Sequence, residues 1–543
     1  MSEADDESVA GRFAFVVFIL GELGALVFYM VISRPMWFFL DEWDFLAKRT
    51  AFNVPDLFRP HNEHWVTLPA LGYRALWWVF GLRTYRPYQL VIVLLHLGAA
   101  LLIRTVMRRA RVRPWTATIV ASILVFFGSG YQNIVLPVQI TLVGSLVFGV
   151  VHLLLADHEG AVDRRDYLGL LAGLAALLCS GVGVSMVIAV GAAVLISRGW
   201  RPALLHTVPL SVIYVVWFAA IGHEGFTGKH ASPVDVARFV RLIVDSTFGA
   251  IGHFRGFGWA LGALLVVGLV FAWRPLPAAE RRSRAAAPLG LLIGAFSLLC
   301  ITGYGRAGLA NLDEKSRYLH LVAAMLLPAL AIAADAIMRR WRVVAPFVVV
   351  VLLIGIPGNI NFIVDYMHRP LVRNEVVYKR MMLSLPEVAA AKEAPRELIP
   401  DRELAHFVTI GWLLDGVASG RIPKPARISA ADAAMDEIRL SLEQHRSRRI
   451  PAGYKCVFST TPLLFRLQTG EKIVVSAPTG AVEITPASPA REKVFPFHVI
   501  TVDGPILQAV QPVTFRTGAV ALNAGRVCAL PRILRSAQLA ARA

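Results

Sequence analysis

Apolar runs about twenty residues long recur as far as residue 364 of the 543-residue chain, and they constrain the fold more than any other feature of the sequence. A helix needs roughly 20 mostly apolar residues to cross a bilayer. The sequence therefore predicts a polytopic α-helical membrane protein with about 11 transmembrane helices. The runs cover residues 12–33, 87–107, 114–131, 138–156, 166–178, 183–197, 203–222, 256–273, 286–304, 318–338 and 343–364.

Composition excludes the main alternatives to a membrane protein. Hydrophobic residues make up 56% of the chain and charged residues only 17%, whereas soluble domains carry about 25% charged residues. A soluble enzyme and a disordered chain are therefore excluded, and four cysteines are too few for a disulfide scaffold. The net charge of +18 does not indicate nucleic acid as a partner, because the excess lies in short arginine clusters between the apolar runs.

These arginine clusters predict the orientation in the membrane. Arginine and lysine favour the cytoplasmic side, so the N-terminus is expected in the cytoplasm and everything after residue 364 outside. The clusters contain Arg104, Arg108, Arg109, Arg111, Arg113, Arg164, Arg165, Arg198, Arg201, Arg274, Arg281, Arg282, Arg284, Arg339, Arg340 and Arg342. Residues 66–82 are apolar enough for a span, but a span there would reverse every later loop. We therefore predict that they form a helix on the outer membrane surface, where Trp77 and Trp78 suit the interface.

The chain divides into three predicted regions. Residues 1–364 form the transmembrane module, with an outer loop at 34–86, and residues 365–450 form a helical and irregular linker region. Residues 451–543 contain short alternating runs separated by turn signals, which predicts a small β-rich domain outside the membrane. Cys456 and Cys528 both lie in that domain, where they either form a disulfide or are two separately buried thiols.

Three carboxylates, Asp41, Glu42 and Asp44, stand directly after the first apolar run. They are either a solvated acidic loop at the membrane surface or a general base beside a second acidic group that deprotonates a hydroxyl or holds a divalent cation. The aromatic residues on both sides, among them Trp37 and Trp43, favour a partly dry pocket.

A polar group follows in the same loop, at His61-Asn62-Glu63-His64. Three interpretations fit this pattern: a zinc site, an interfacial hydrogen-bonding cluster, or donors to a phosphate or sugar. The zinc site lacks a third ligand nearby in the sequence.

Basic residues recur on the predicted outer side, at Arg306, Lys315 and Arg317, followed by Tyr318. Their predicted place outside departs from the usual preference of arginine and lysine for the cytoplasmic side of a membrane. They are either ordinary surface charge or a cationic cradle for a phosphate. Asp313 and Glu314 weaken that cradle unless they point elsewhere.

Taken together, this pattern resembles the GT-C superfamily of membrane glycosyltransferases, in particular the bacterial and actinobacterial enzymes that use lipid-linked sugars in cell-wall and polysaccharide assembly. The resemblance covers roughly residues 12–364. The residues that carry it are Asp41-Glu42-Trp43, His61-Asn62-Glu63-His64-Trp65, Pro69, Gly81, Tyr85-Arg86-Pro87-Tyr88, His96, Arg306 and Ser316-Arg317-Tyr318.

The resemblance implies an inverting transfer of a sugar from a polyprenyl-phosphate donor to a glycan, lipid or protein acceptor outside the bacterial cytoplasmic membrane. It implies that Asp41 is the base and that Glu42 or Asp44 assists it, with Asp44 as the alternative base. The donor would be bound by His61, Glu63, His64, Arg306, Lys315, Arg317 and Tyr318. No cofactor is required, although Mg²⁺ or Mn²⁺ at Asp41 and Glu42 would fit.

A different class of function stays open: a transporter or flippase of lipid-linked glycans, or a non-catalytic assembly factor. Transporters commonly show paired inverted repeats with broken helices. The interruption at Ser180–Gly183 has no evident counterpart in the other half of the sequence. For the glycosyltransferase, we expect the carboxylates at 41–44 and the cations at 306–317 to share a single cleft on the non-cytosolic side.

Overall fold

The computed structural model describes residues 3–49, 53–225, 231–254, 256–307, 315–446, 449–459, 462–476, 481–487, 493–500, 505–519 and 525–540. The chain forms two units. The first comprises Met1–Arg34, Ala51–Tyr73 and Arg86–His368. The second comprises Pro35–Thr50, Arg74–Tyr85 and Arg369–Ala543.

The first unit is helical in its described residues. Its helices are α1 Glu3–Ile32, α2 Val54–Phe58, α3 Thr67–Phe80, α4 Arg86–Arg109, α5 Pro114–Val125, α6 Gln132–Val135, α7 Ile140–Ala156, α8 Arg164–Leu177, α9 Val182–Arg198, α10 Trp200–Ala220, α11 Pro233–Gly252, α12 Phe257–Trp273, α13 Ala278–Arg306, α14 Lys315–Arg340, α15 Ala345–Leu353 and α16 Gly355–Met367. The last residues of α3 belong to the second unit.

Each of the eleven predicted runs contains helix, and the chain is a polytopic α-helical membrane protein. Within the described residues, seven helical segments are long and apolar enough to cross a membrane, and an eighth arises if α11 and α12 form one bent span. The difference from eleven comes mainly from α5, α8 and α9, which have 12, 14 and 17 residues. At 1.5 Å per residue such helices fall short of a hydrocarbon core about 30 Å thick.

Two of the predicted runs, 114–131 and 343–364, are interrupted where a glycine packs against another backbone. A Cβ at Gly128 would lie 1.8 Å from the carbonyl oxygen of Asn359, and one at Gly355 would lie 1.9 Å from that of Ile251. A side chain at either position would therefore force the backbones apart. Gly128 follows shortly after the end of α5, and Gly355 is the first residue of α16.

Helix α14 is the centre of the first unit. It packs against α4, α5, α11, α12 and α13. In its most apolar stretch of 18 residues, 94% of the residues are buried. Helix α1, in contrast, exposes Phe13, Leu20 and Val27. A helix that is apolar all round is stable only inside a protein or against lipid, so α14 is a core helix and α1 has the surface of a lipid-facing helix.

Residues 66–82 contain α3, which has only 14 residues. Its length of about 21 Å is too short for a span. Trp78 is 73% exposed. The prediction that this segment is helical but does not cross the membrane agrees with these dimensions, and its place at the outer surface stays a prediction.

The second unit combines helices with antiparallel strands. Its elements are α17 Pro370–Ser384, α18 Ala390–Glu393, α19 Ile410–Ala418, α20 Ala430–Ser441, β1 Leu442–Arg446, β2 Lys455–Ser459, β3 Leu463–Leu467, β4 Lys472–Ser476, β5 Ala481–Pro486, β6 Phe497–Ile500, β7 Pro505–Ala509, β8 Val513–Ala519, β9 Gly525–Ala529 and α21 Pro531–Ala540. The predicted α+β character of the C-terminal region is confirmed.

The strands form two sheets, one in the order β1-β7-β4-β9-β2 and one in the order β3-β8-β5-β6. Alternating residues of both sheets, such as Phe465 and Phe515 of the second sheet and Val475 of the first, share one apolar core with Ile438 of α20 and Leu534 of α21. Strand alternation places every second side chain in that core. Cys456 and Cys528 face each other in the β2–β9 pairing and are disulfide-bonded.

Candidate functional site

The acidic segment of the second unit is built on a buried aromatic cluster. The rings of Trp37, Phe38 and Trp43 contact one another in edge-on or tilted arrangements at centroid distances of 5.5–6.0 Å. All three side chains are at most 2% exposed. Tyr378 of α17 and Trp412 of α19 extend the cluster. Aromatic pairs of this kind stabilise beyond the area they bury, so the segment is held rigidly.

Within this segment, the chain makes a strained turn just before the carboxylates. Leu40 has φ of 50°, a left-handed conformation that costs an L residue about 1–2 kcal/mol. Its N–H donates to the carbonyl of Leu404 at 2.9 Å, which holds the turn. Asp41 follows on the exposed side.

Glu42 and Asp44 are buried and have fixed partners. Glu42 accepts a hydrogen bond from the Tyr85 hydroxyl at 2.9 Å and one from the N–H of Phe39 at 3.3 Å. Asp44 accepts from Arg49 Nε at 2.9 Å, and both side chains of that ion pair are at most 2% exposed. Of the three predicted catalytic carboxylates, Asp41 is therefore the exposed one.

A fourth carboxylate, Glu375 of α17, was not anticipated. Its Oε2 accepts a hydrogen bond from the N–H of Trp37 at 2.7 Å. Burial raises the pKa of Glu375 to about 8, and the nearby charge of Glu42 adds to this effect. Glu375 is thus a neutral acid at pH 7 that braces the aromatic cluster. Its position in an ordinary-looking amphipathic helix gave no signal in the sequence.

In the first unit, the polar group 61–64 forms a tight turn. The N–H of His61 donates to the carbonyl of His64 at 2.9 Å, and the N–H of His64 donates back at 3.0 Å. Asn62 has φ of 50°. The turn is anchored by Trp65, which stacks on Trp217 of α10 at 4.9 Å with an angle of 5° between the rings. The backbone of the turn is therefore held in place by its own hydrogen bonds and by the packing of Trp65.

Glu63 and His64 are aligned by contacts outside the turn. Glu63 Oε1 accepts from Nη2 and Nε of Arg306 at 2.7 and 3.0 Å. Burial opposes ionisation of Glu63, but the charge and hydrogen bonds of Arg306 outweigh it and lower the pKa of Glu63. Burial lowers the pKa of His64 to about 4. Its Nδ1 accepts from the N–H of Gly181 at 3.4 Å, so the proton of the neutral ring is assigned to Nε2.

These side chains line a cavity of about 280 Å³ within the first unit. One part of its wall is polar and the rest is apolar. The lining residues are Glu63, His64, Leu142, Gly181, Val182, Val184, Tyr214, Phe218, Leu298, Ile301, Thr302, Gly305, Arg306, Arg317, Tyr318 and Leu321. Five of the residues predicted to bind the donor, Glu63, His64, Arg306, Arg317 and Tyr318, are thus brought together. We name this space the donor pocket, after the ligand that the resemblance implies for these residues.

The remaining predicted residues are placed differently. His61 holds the turn through its backbone and is not among the described residues that line the donor pocket. Lys315 is the first residue of α14, and its side chain lies outside the described part of the structure. Asp313 and Glu314 also lie outside the described residues.

Sequence reasoning missed Tyr214 and the role of Gly181 in this pocket. Gly181 lies in the break between α8 and α9, which the sequence marks only as an interruption. A Cβ at Gly181 would lie 3.0 Å from His64 Nδ1, so glycine allows the close contact. His96, which carried part of the resemblance, is fully buried and pairs with His320 at 2.9 Å. It therefore supports packing away from the pocket.

A group of possible metal ligands that was not predicted also lies in the first unit. The group consists of His158, Asp163 and Asp166. Each offers one ligand atom, and these three atoms lie within 4.8 Å of one another. Asp166 Oδ1, however, already accepts from Arg198 at 2.5 Å and contacts His206 at 2.8 Å. A guanidinium at that distance supplies the charge that a metal ion would supply. The hypothesis of a divalent cation at Asp41 and Glu42 stays a prediction.

Comparisons with known proteins give one structural similarity. No family model and no curated protein matches the sequence. In structure, the chain is similar to the oligosaccharyltransferase of Archaeoglobus fulgidus, solved in complex with Zn and sulfate, with 13% sequence identity and a TM-score of 0.41. The similarity covers 77% of this chain and 61% of the archaeal chain, so it spans less than two thirds of that protein.

Proposed function

We propose that the protein is an inverting glycosyltransferase of the GT-C type. It would transfer a sugar from a polyprenyl-phosphate donor to a cell-envelope glycan, lipid or protein on the extracytoplasmic face of a bacterial cytoplasmic membrane. The observation that carries the proposal is the donor pocket, in which two arginines and a histidine stand beside an apolar wall in a membrane helix bundle.

A polyprenyl phosphate has the same two-part chemistry as the donor pocket. Its phosphate is a compact anion, and its prenyl chain is entirely apolar. Arg306 and Arg317 can bind phosphate oxygens through charge-assisted hydrogen bonds. The apolar wall, which includes Leu142, Phe218 and Leu298, suits the first isoprene units.

The same groups would serve the chemical step. When the sugar leaves, negative charge develops on the lipid phosphate, and arginines already aimed at it lower the barrier without rearrangement. His64 is neutral at pH 7 because of its low pKa. Through Nε2–H it would act as a hydrogen-bond donor to a phosphate or sugar oxygen rather than as a cation.

Asp41 is proposed as the general base that takes the proton of the acceptor hydroxyl. This assignment rests on its exposure, because Glu42 and Asp44 are buried in fixed hydrogen bonds and ion pairs. Glu42 and Asp44 then hold the turn that presents Asp41. One base is sufficient for inversion, since the phosphate leaving group needs little protonation.

Donor binding by arginine variants tests the proposal. The full chain in lipid nanodiscs is titrated with undecaprenyl phosphate, and Arg317→Ala is compared with Arg317→Lys. Loss of a charge-assisted hydrogen bond costs about 1.5–3 kcal/mol, so Arg317→Ala is expected to weaken binding about tenfold to a hundredfold. Arg317→Lys should restore part of it.

Arg241→Ala is the matched control, because Arg241 lies on α11 with its side chain 83% exposed. Equal affinity of the wild type and Arg317→Ala would remove Arg317 from the donor site. Tight donor binding with no sugar transfer to any envelope acceptor would instead favour the flippase or assembly-factor alternative.

A further inference from the structure

A second cavity lies at the other end of α13 and α14. The donor pocket is lined by the last turns of α13 and the first turns of α14, whereas the second cavity is lined by the beginning of α13 and the end of α14. Arg284 and Arg306 both belong to α13, and their 22-residue separation corresponds to about 33 Å, the thickness of a hydrocarbon core. The two cavities therefore lie near opposite membrane surfaces.

The second cavity has a volume of about 310 Å³, and we name it the arginine pocket. It lies between the α4–α5 connection, the end of α12, α13 and α14. Its lining residues are Ala110, Arg111, Val112, Phe271, Ala272, Trp273, Pro275, Leu276, Arg284, Ile332, Asp335, Ala336, Arg339 and Arg340.

Positive charge dominates the arginine pocket. Four of its lining residues are arginines, and Asp335 is the one carboxylate among the described residues that line it. Asp335 is already paired, since it accepts from Arg113 Nε at 2.6 Å and from Arg339 Nε at 2.7 Å. The other nearby acid, Glu280, pairs with Arg284. Both acidic groups are therefore already paired with arginines, and the pocket keeps a net positive charge.

Two buried donors in the arginine pocket lack an acceptor. Among the described residues, no hydrogen-bond partner is found for the indole Nε1 of Trp273 or for Nε of Arg284. A buried donor without a partner costs about 1–3 kcal/mol. An anion with several oxygens in the pocket would satisfy both donors and the excess charge together.

We propose that the arginine pocket binds a phosphate ester, specifically the headgroup of an anionic membrane phospholipid. Arginine-rich pockets between membrane helices suit such headgroups. The exposed ring of Phe271, which lines the pocket, packs edge-on against Trp341 at 4.9 Å. This apolar edge favours a lipid over a soluble phosphate ester. The site is separate from the proposed sugar transfer and does not depend on it.

The test uses delipidated full-length protein in neutral detergent. Binding of phosphatidylglycerol, phosphatidylcholine and inorganic phosphate is measured by titration and by the shift in unfolding temperature. The double variant Arg284→Gln/Arg340→Gln is compared with the control Arg281→Gln/Arg282→Gln, which removes the same charge from the same side of the protein outside the lining of the pocket.

At about 1 kcal/mol per arginine, the pocket variant should bind phosphatidylglycerol about thirtyfold more weakly, and the control should change less than about twofold. Arg340→Gln alone, at an exposed position that leaves both ion pairs intact, should weaken binding about fivefold. Two results would contradict the proposed site. One is an equal rise in unfolding temperature with phosphatidylglycerol and phosphatidylcholine, and the other is an equal loss of phosphatidylglycerol binding in the control variant. If inorganic phosphate raised the unfolding temperature as much as phosphatidylglycerol does, the pocket would bind free phosphate and not a lipid headgroup, which would contradict the proposal.

Discussion

The acidic segment and the donor pocket look equally functional in the sequence, but their charged side chains are used in opposite ways. In the acidic segment, Glu42 and Asp44 are at most 2% exposed and bound to fixed partners. In the donor pocket, Arg306 and Arg317 are half-buried and border an open cavity. The first arrangement mainly stabilises a turn, whereas the second places charged groups in the wall of a cavity.

This difference shows that neighbouring residues of one motif can divide structure and chemistry between them. The left-handed turn at Leu40 puts Asp41 outside while the next carboxylates enter the protein. If the comparison is right, substitutions at 42 and 44 affect stability, whereas substitution at 41 affects turnover alone. The following predictions test that division.

Asp44→Asn is expected to have the largest effect on stability. It removes one partner of the buried ion pair with Arg49, and an uncompensated buried charge costs about 3–5 kcal/mol. The free energy of unfolding of the purified full chain measures the loss. Asp41→Asn is the matched control and should change it by less than about 0.5 kcal/mol. Equal losses in both variants would contradict the proposed division.

Glu375→Gln should stabilise the protein, increasingly so as pH rises. The pKa of Glu375 is raised from 4.5 to about 8 by burial, so its protonated form stabilises the fold fully below pH 4.5, and that contribution is lost as pH rises toward 8. Glutamine mimics the neutral acid at every pH. The gain should be small at pH 5 and at most about 3 kcal/mol at pH 7.

Unfolding temperatures of wild type and Glu375→Gln between pH 5 and pH 8 provide this measurement. A constant difference across the range would show that Glu375 is ionised in the folded protein. In that case the acidic segment would be less dry than its burial indicates.

Glu63→Gln is expected to have the smallest effect, in the favourable direction. Glu63 holds Arg306 in a half-exposed ion pair, which contributes about 0–1 kcal/mol to stability. Its charge opposes an incoming phosphate, so its removal should tighten binding of undecaprenyl phosphate about fivefold, equivalent to about 1 kcal/mol. Weaker binding would mean that Glu63 is needed to orient Arg306.

Much of the fold could be predicted from the sequence because membrane helices and alternating strands leave local patterns. The runs at 138–156 and 318–338 became α7 and α14, and the alternating runs predicted within 451–543 became strands such as β3 and β4. The predicted helical and irregular region 365–450 did not include a strand, but Leu442–Arg446 pairs with β7 as β1. This is a long-range contact that local propensity does not record.

The candidate site was only partly predictable, for the same reason. Charge against the positive-inside bias pointed to Arg306 and Arg317, and both line the donor pocket. The sequence did not distinguish Asp41 from Asp44, because the distinction depends on the burial of Asp44 with Arg49 and on the turn at Leu40, which the distant Leu404 holds. Glu375 could not be found either, since its raised pKa depends on burial beside Trp37, far away in the sequence.

Sugar transfer by Asp41→Asn is the most direct test of the central proposal. The variant and the wild type are assayed with a panel of polyprenyl-phosphate sugars and envelope acceptors, and donor affinity and unfolding temperature are measured on the same preparations. Removal of a general base should slow transfer about 10²–10⁴-fold while donor affinity and unfolding temperature stay unchanged. Transfer by Asp41→Asn at the wild-type rate would contradict the assignment of Asp41 as the base.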